Sequence, residues 1–179
     1  MPDFRRLRVP GGCFFFTVNL LERRGNALLT DRIDLLRDAV RRVRRTRPFA
    51  IDAFVVLPDH MHAVWTLPPD DDDFSTRWRL IKTFFARGVA ATERRSRVRR
   101  ADRERGIWQR RFWEHAIHDD ADYAAHMDYV HFNPVKHGLV ASPVDWPYST
   151  FQYCAARGRY PHDWVGDATK NVEADEPGG

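Results

Sequence analysis

The chain has 179 residues, the length of about one domain. With 43% hydrophobic and 13% aromatic residues it is too apolar to be a disordered chain. Its two cysteines, Cys13 and Cys154, exclude a disulfide scaffold or a cysteine-based zinc site, and read as reduced thiols of a cytosolic protein. No apolar run approaches the ~20 residues that span a bilayer. Arg5, Arg6 and Arg8 ahead of Cys13–Phe16 imitate a secretory signal, but Thr17 and Asn19 interrupt the run and Glu22-Arg23-Arg24 stand where a cleavage site would need small residues.

The net charge of +4 conceals a strong polarity. Arg77 to Arg111 holds 13 Lys/Arg against 3 Asp/Glu, whereas Arg159 to Gly179 holds 2 against 5. Of the 29 basic residues only Lys82, Lys136 and Lys170 are lysine. Guanidinium groups grip phosphate bidentately and stack on bases, so the cluster suits a nucleic-acid partner. An arginine-preferring genome and a solvated face are the plainer account of the same ratio.

In chain order, Gly11-Gly12 opens an apolar run from Cys13 to Leu21 that predicts a first strand. Asp31 to Arg47 places Ile33, Leu36, Val40 and Val43 near helical spacing, with Thr30 as the expected N-cap and Pro48 as the stop. Ile51–Leu57 and His60–Leu67 predict two strands joined at the Pro58-Asp59 turn. After the acidic loop Pro68–Asp73, a helix capped by Asp73 or Ser75 is expected to carry Trp78, Ile81, Phe84 and Phe85. Arg94–Arg105 reads as a basic loop, Phe112–Ile117 as a fourth strand, and Ala121–His131 as a helix capped by Asp119 or Asp120 and ended or bent at Asn133-Pro134. From about residue 139 an irregular extension with aromatic anchors follows. Residues 1–168 are expected to form one domain and 169–179 a disordered acidic tail. The order β-α-β-β-α-β-α suits an α+β fold of the ferredoxin-like (RRM-like) split βαβ plan, an antiparallel sheet with helices on one face.

Two local patterns carry chemistry. On a strand, His60 and His62 of His60-Met61-His62 point to one face and make half of a metal site, while Met61 turns into the core. Two surface histidines are the plainer alternative. On a helix, Tyr129 and Asn133 are i and i+4 and share a face. Asn133 at the helix C-terminal edge offers a carbonyl oxygen to a hard cation, and that end carries partial negative charge. His126 lies on roughly the same face. A core aromatic and a C-cap are the alternatives for Tyr129 and Asn133. Taken together, two imidazoles and an amide leave coordination positions open for substrate phosphate, and a tyrosine one turn away can act as nucleophile.

Leu57-Pro58-Asp59-His60-Met61-His62 and Tyr129-Val130-His131-Phe132-Asn133-Pro134-Val135-Lys136-His137-Gly138-Leu139-Val140 resemble the signatures of the HUH-type single-tyrosine transposases. Within that group the chain resembles the REP-associated tyrosine transposases, bacterial proteins linked to repetitive extragenic palindromes. Supporting segments are Gly12–Asn19, Asp73–Trp78, Phe112–His115 and Trp146–Ser149, and the likeness runs from about Phe4 to Gly166. The resemblance implies a ferredoxin-like fold, a metal-binding pair at His60 and His62, a third polar ligand at Asn133 and a nucleophile at Tyr129. It implies cleavage of single-stranded DNA beside a hairpin, through a 5′-phosphotyrosine with release of a 3′-hydroxyl, with Mg²⁺ or Mn²⁺ as cofactor. It also implies an enzyme of DNA transposition or repeat mobilisation, acting as monomer or homodimer in the bacterial cytoplasm at the nucleoid, with no membrane partner.

Single strands bind through positive grooves with aromatic platforms. Arg77, Lys82, Trp108, Arg110 and Arg111 are the expected DNA contacts, joined by Lys136 just past the tyrosine helix, with Trp78 and Phe112 read as core. Glu114 and His115 are candidates to line the site. The alternative is a non-catalytic ferredoxin-like binder of DNA or RNA hairpins that stacks bases on sheet aromatics, with the strand Cys13–Phe16 as their source. A His-based hydrolase is disfavoured because no further Asp-His pair follows at close spacing.

Overall fold

A computed structural model describes residues 6–91 and 105–166. The expectations for Arg94–Glu104 and for the acidic tail lie outside the described residues. Four strands, β1 (Cys13–Asn19), β2 (Ala50–Val56), β3 (His60–Thr66) and β4 (Trp113–Ala116), form one sheet in the order β2-β3-β1-β4, antiparallel throughout. This is the ferredoxin-like plan expected from the element order. β1 and β3, the central pair, are the most buried strands, with Phe14, Phe15, Phe16, Met61, Ala63, Val64 and Trp65 fully buried.

Alternation along β1 and β3 feeds two cores. One face carries Phe14, Phe16, Val18, Met61, Ala63 and Trp65, covered by α2 (Ile33–Thr46) and α3 (Phe74–Gly88). Helix α2 presents the stripe Leu36, Ala39, Val40 and Val43; α3 presents Phe74, Trp78, Ile81 and Phe85. Trp78 of α3 stacks on Trp65 with ring centroids 4.1 Å apart and 16° between planes, a contact worth about 1 kcal/mol beyond its buried area. The cap of α3 is Asp73, whose carboxylate accepts from the Thr76 N–H at 2.9 Å. Thr30 does not cap α2. It lies in the short helix α1 (Leu28–Asp31) and donates to the Ala27 carbonyl, and Arg32 separates the two helices.

The opposite face carries Phe15, Val64, Val55 and Ala53 and is covered by α4 (Asp120–Lys136) through Met127 and Val130. The sheet therefore has helices on both faces: α2 and α3 share one, and the tyrosine helix takes the other. Phe14, Phe15 and Phe16 have no exposed surface on which a base could stack. Tyr123 fastens α4 to β2 by donating to Asp52 at 3.0 Å.

Helix α4 runs through Pro134 instead of ending at Asn133. Its stop is a Schellman turn: Gly138, at φ +69°, donates to the Val135 carbonyl, and Leu139 donates to the Pro134 carbonyl, both at 2.9 Å. The extension is partly helical, with a 3-10 turn at Pro143–Asp145 and α5 at Phe151–Ala156. It covers the outer side of α4, where Thr150 meets His131 at 2.8 Å and the Tyr160 hydroxyl donates to Asp128 at 2.9 Å. Phe151 and Tyr160 close over the His131 ring, and burial holds that imidazole down at about 4.

Candidate active site

Strand β3 sets His60 and His62 on the face that packs against α4, with ring centroids 5.0 Å apart. Both are buried. Helix α4 brings Tyr129 onto His62, ring centroids 5.2 Å apart and nearly perpendicular, with Phe15 of β1 wedged beside both rings. Asn133 follows one turn later and is fully buried. His60, His62 and Tyr129 thus gather where the middle of the sheet meets the C-terminal half of α4, with Asn133 one helical turn beyond Tyr129. His137, just past the helix, lies 5.0 Å from the His60 ring, and the Lys136 ammonium lies 3.4 Å from the Tyr129 hydroxyl.

The hydrogen bonds behind the pair decide which ring atoms face the site. Nδ1 of His62 meets Thr17 Oγ1 at 2.8 Å, so Nε2 is the ring nitrogen that could serve a cation. Nδ1 of His60 meets Asp59 Oδ1 at 2.6 Å, and Arg23 Nε holds the other carboxylate oxygen at 2.9 Å. Burial alone would push the Asp59 carboxyl up; the hydrogen bonds from His60 and Arg23 outweigh it and hold it at about 2. This carboxylate–imidazole pairing fixes ring orientation and raises ligand basicity. His62 is held well below the usual histidine range, first by burial and then by the electrostatic influence of its neighbours His60, His137, Lys136 and Arg23, which favours the neutral imidazole.

The donor set fits a divalent cation. Nε2 of His60, both amide atoms of Asn133 and Oδ1 of Asn19 are buried with no hydrogen-bond partner among the described residues. Orphaned buried polar atoms are costly unless something binds them. Asn19 stands directly opposite His60 in the β1–β3 register. In the sequence it stands only as a break in an apolar run; its place depends on a strand pairing that spans more than forty residues. Asp59 likewise stands in the sequence as a turn residue within the signature segment, with no sign of the ring it holds.

The remaining predicted residues fall in two other places. His115 and His126 stack on one another at 4.6 Å on the α4 side of the sheet, separated from the Tyr129 group by Phe15. Glu114, next to His115 on β4, points to the opposite face, where Arg6 approaches it at 3.7 Å and burial pushes its carboxyl up; it does not line the tyrosine site. A groove of about 750 Å³ beside α3 collects Arg6, Arg79, Lys82, Arg87, Arg105 and Arg110, with Trp108 and Phe112 in its wall. Arg110 and Arg111 are exposed. Trp108 is mostly buried and donates to the Lys82 carbonyl at 3.2 Å.

Arg77 does not reach the surface and is a correction to the expected set of contacts. It has no exposed area. Its guanidinium binds Asp71 twice, at 3.0 and 2.7 Å, and donates to the carbonyls of Arg47, Pro48 and Asp73.

No protein-family model matches the chain. The chain is 51% identical to the REP-associated tyrosine transposase of Escherichia coli (strain K12) over 169 residues, 94% of each protein. It is 42% identical to a Haemophilus influenzae protein assigned to the same group, over 98% of this chain and 99% of that one. A solved structure of a REP-associated tyrosine transposase bound to a REP hairpin shares 50% identity and superposes with a TM-score of 0.81, covering 96% of both chains. Strong identity across nearly the full length, on the same fold, makes this chain a member of the REP-associated tyrosine transposase family.

Proposed function

We propose that the chain cleaves and transfers single-stranded DNA beside hairpins of repetitive palindromes, with Tyr129 as nucleophile and His60, His62 and Asn133 as ligands of Mg²⁺ or Mn²⁺. The observation that carries this reading is the contact of the Tyr129 ring with His62 of a buried histidine pair, together with buried amide atoms of Asn19 and Asn133 that lack partners among the described residues. Two nitrogens and an amide oxygen suit a cation between hard and borderline, and Asn19 adds a second oxygen. A cation held there supplies polarisation of the scissile phosphate.

The chain's own residues account for the rest. The Tyr129 hydroxyl attacks phosphorus, the bond to the 3′ oxygen breaks, and that oxygen leaves with a proton as a 3′-hydroxyl. The product is a 5′-phosphotyrosine that keeps the phosphoester bond available for rejoining. The Lys136 ammonium beside the phenol oxygen stabilises the negative charge that develops as its proton departs. Asp59 and Arg23 act as positioning residues, since they hold the His60 ring and do not touch substrate. His137, exposed at the site rim, is placed to meet a DNA backbone.

The basic groove beside α3 supplies phosphate contacts through Lys82 and Arg110, with Arg111 next to it. The hairpin held by the half-identical relative supports hairpin DNA as the substrate class. The closed sheet faces argue against base stacking on Phe14–Phe16 and so against the non-catalytic binder. Among the described residues no helix is long and apolar enough to cross a membrane. We place the protein's action in the cytoplasm, on nucleoid DNA, with residues up to about 168 working as one catalytic unit.

The test is a denaturing gel of the protein with hairpin oligonucleotides carrying host-repeat flanks, in Mg²⁺ or Mn²⁺ and in EDTA, beside Tyr129→Phe. A protein-linked DNA band that needs both the cation and Tyr129 is expected, while Tyr129→Phe still binds the hairpin. Hairpin binding without a covalent band across a fair panel of repeats would return the protein to the binding-module reading.

A further inference from the structure

A second group of metal-ligating side chains lies away from Tyr129, where β4 meets the first turn of α4. His115 Nε2 stands 2.9 Å from Asp122 Oδ2, and His118 Nε2 stands 3.5 Å from the same oxygen. One ligand atom from each of the three residues lies within 4.8 Å of the others. Ligands of a tetrahedral zinc ion, at about 2.0–2.2 Å from the metal, are separated by about 3.4 Å, so small side-chain rotations bring all three into range. The carboxylate is already oriented, because His126 Nδ1 contacts Asp122 Oδ1 at 2.9 Å from the helix interior and stacks on the His115 ring. His118 has 66% of its side chain exposed, which leaves a solvent route and an outer coordination position for water. The helix N-terminus carries partial positive charge, but Asp119, Asp120 and Asp122 place three carboxylates there and offset it.

The geometry points to a second cation site, formed by His115, His118 and Asp122, selective for zinc-class transition metals over Mg²⁺. Two imidazoles and one carboxylate are the ligands of borderline cations, while Mg²⁺ demands oxygen and water. Occupancy would clamp the edge strand β4 to the start of α4, about two turns before Tyr129, and so steady the helix that carries the nucleophile. The site shares no residue with the His60–His62–Asn133 set, and its test does not depend on that reading.

Chelator-stripped full chain without a histidine tag is titrated with Co²⁺, followed by its visible ligand-field bands, and with Zn²⁺, followed by calorimetry and melting temperature. His118→Ala is the deciding variant, because its ring is exposed and the fold does not rest on it. The expected result is a binding step in the parent that weakens about tenfold or more in His118→Ala, with a smaller Zn²⁺-induced rise in melting temperature. His60→Ala is expected to keep that step and lose a different one. Superimposable Co²⁺ and Zn²⁺ titrations of parent and His118→Ala would overturn the site, whatever His60→Ala does.

Discussion

Arg77→Met separates two accounts of the basic segment. If Arg77 touched DNA, its loss would weaken binding and make the log–log salt dependence shallower by about 0.7 per single-strand phosphate contact, at unchanged stability. The structure requires the opposite. The guanidinium is fully buried, paired bidentately with Asp71, and satisfies the carbonyls of Arg47, Pro48 and Asp73. Methionine fills the volume and removes every one of these bonds. Breaking a buried pair by removing one partner costs about 3–5 kcal/mol. Asp71 keeps 32% of its side chain exposed and rehydrates in part, so the lower end applies. For a chain of this size, about 3 kcal/mol corresponds to a fall in Tm of about 6–12 °C. The hydrogen bond from Arg77 is the main reason the Asp71 carboxyl lies below its ordinary value of 3.8. The pair's contribution is therefore complete above pH 3.8 and drains as pH falls through the lower folded value, so the gap between parent and variant narrows in acid to what the three carbonyl bonds contribute. Thermal unfolding at pH 7 and pH 3, with hairpin affinity measured well below Tm, decides the matter. An unchanged Tm with a shallower salt slope would refute the structural role.

Three other outcomes follow from the geometry. Asp59→Asn removes the charge that orients His60 and should lower Mn²⁺ affinity about 10–100-fold by titration, leaving hairpin binding in EDTA intact; unchanged Mn²⁺ affinity would exclude Asp59 as a positioning residue. Glu114→Gln should stabilise the fold at neutral pH by up to about 1 kcal/mol, because burial raises this carboxyl while the unfolded chain ionises near 4.5. The penalty appears as pH rises above 4.5, so the gain should vanish below it; a lower Tm at pH 7 would show that Glu114 has a partner worth keeping. Tyr129→Phe should abolish the covalent band at undiminished hairpin affinity; a surviving band would place the nucleophile elsewhere.

Period-two alternation is local, so sequence alone put His60 and His62 on one strand face and Met61 on the other, as the sheet has them. Helical spacing is local as well and puts Tyr129 and Asn133 on one face; the sequence narrows the α3 cap to Asp73 or Ser75, and the structure has Asp73. The element order led to the ferredoxin-like sheet because such chains have few ways to pair four strands with two crossover helices. What sequence could not show depends on partners far away in the chain. The Arg77 stretch reads as a solvated basic face until Asp71 and three carbonyls close around it. Asn133-Pro134 reads as an end or a bend of the helix, and the helix gives up one bond there and continues to a glycine-built stop. Asn19 becomes a candidate ligand only because β1 pairs with β3 in one register, and His115, His118 and Asp122 meet only because the edge strand lies against the next helix. Local periodicity fixes which way a side chain points. Only the tertiary structure fixes what it points at, since burial and proximity are properties of the neighbours brought in from elsewhere.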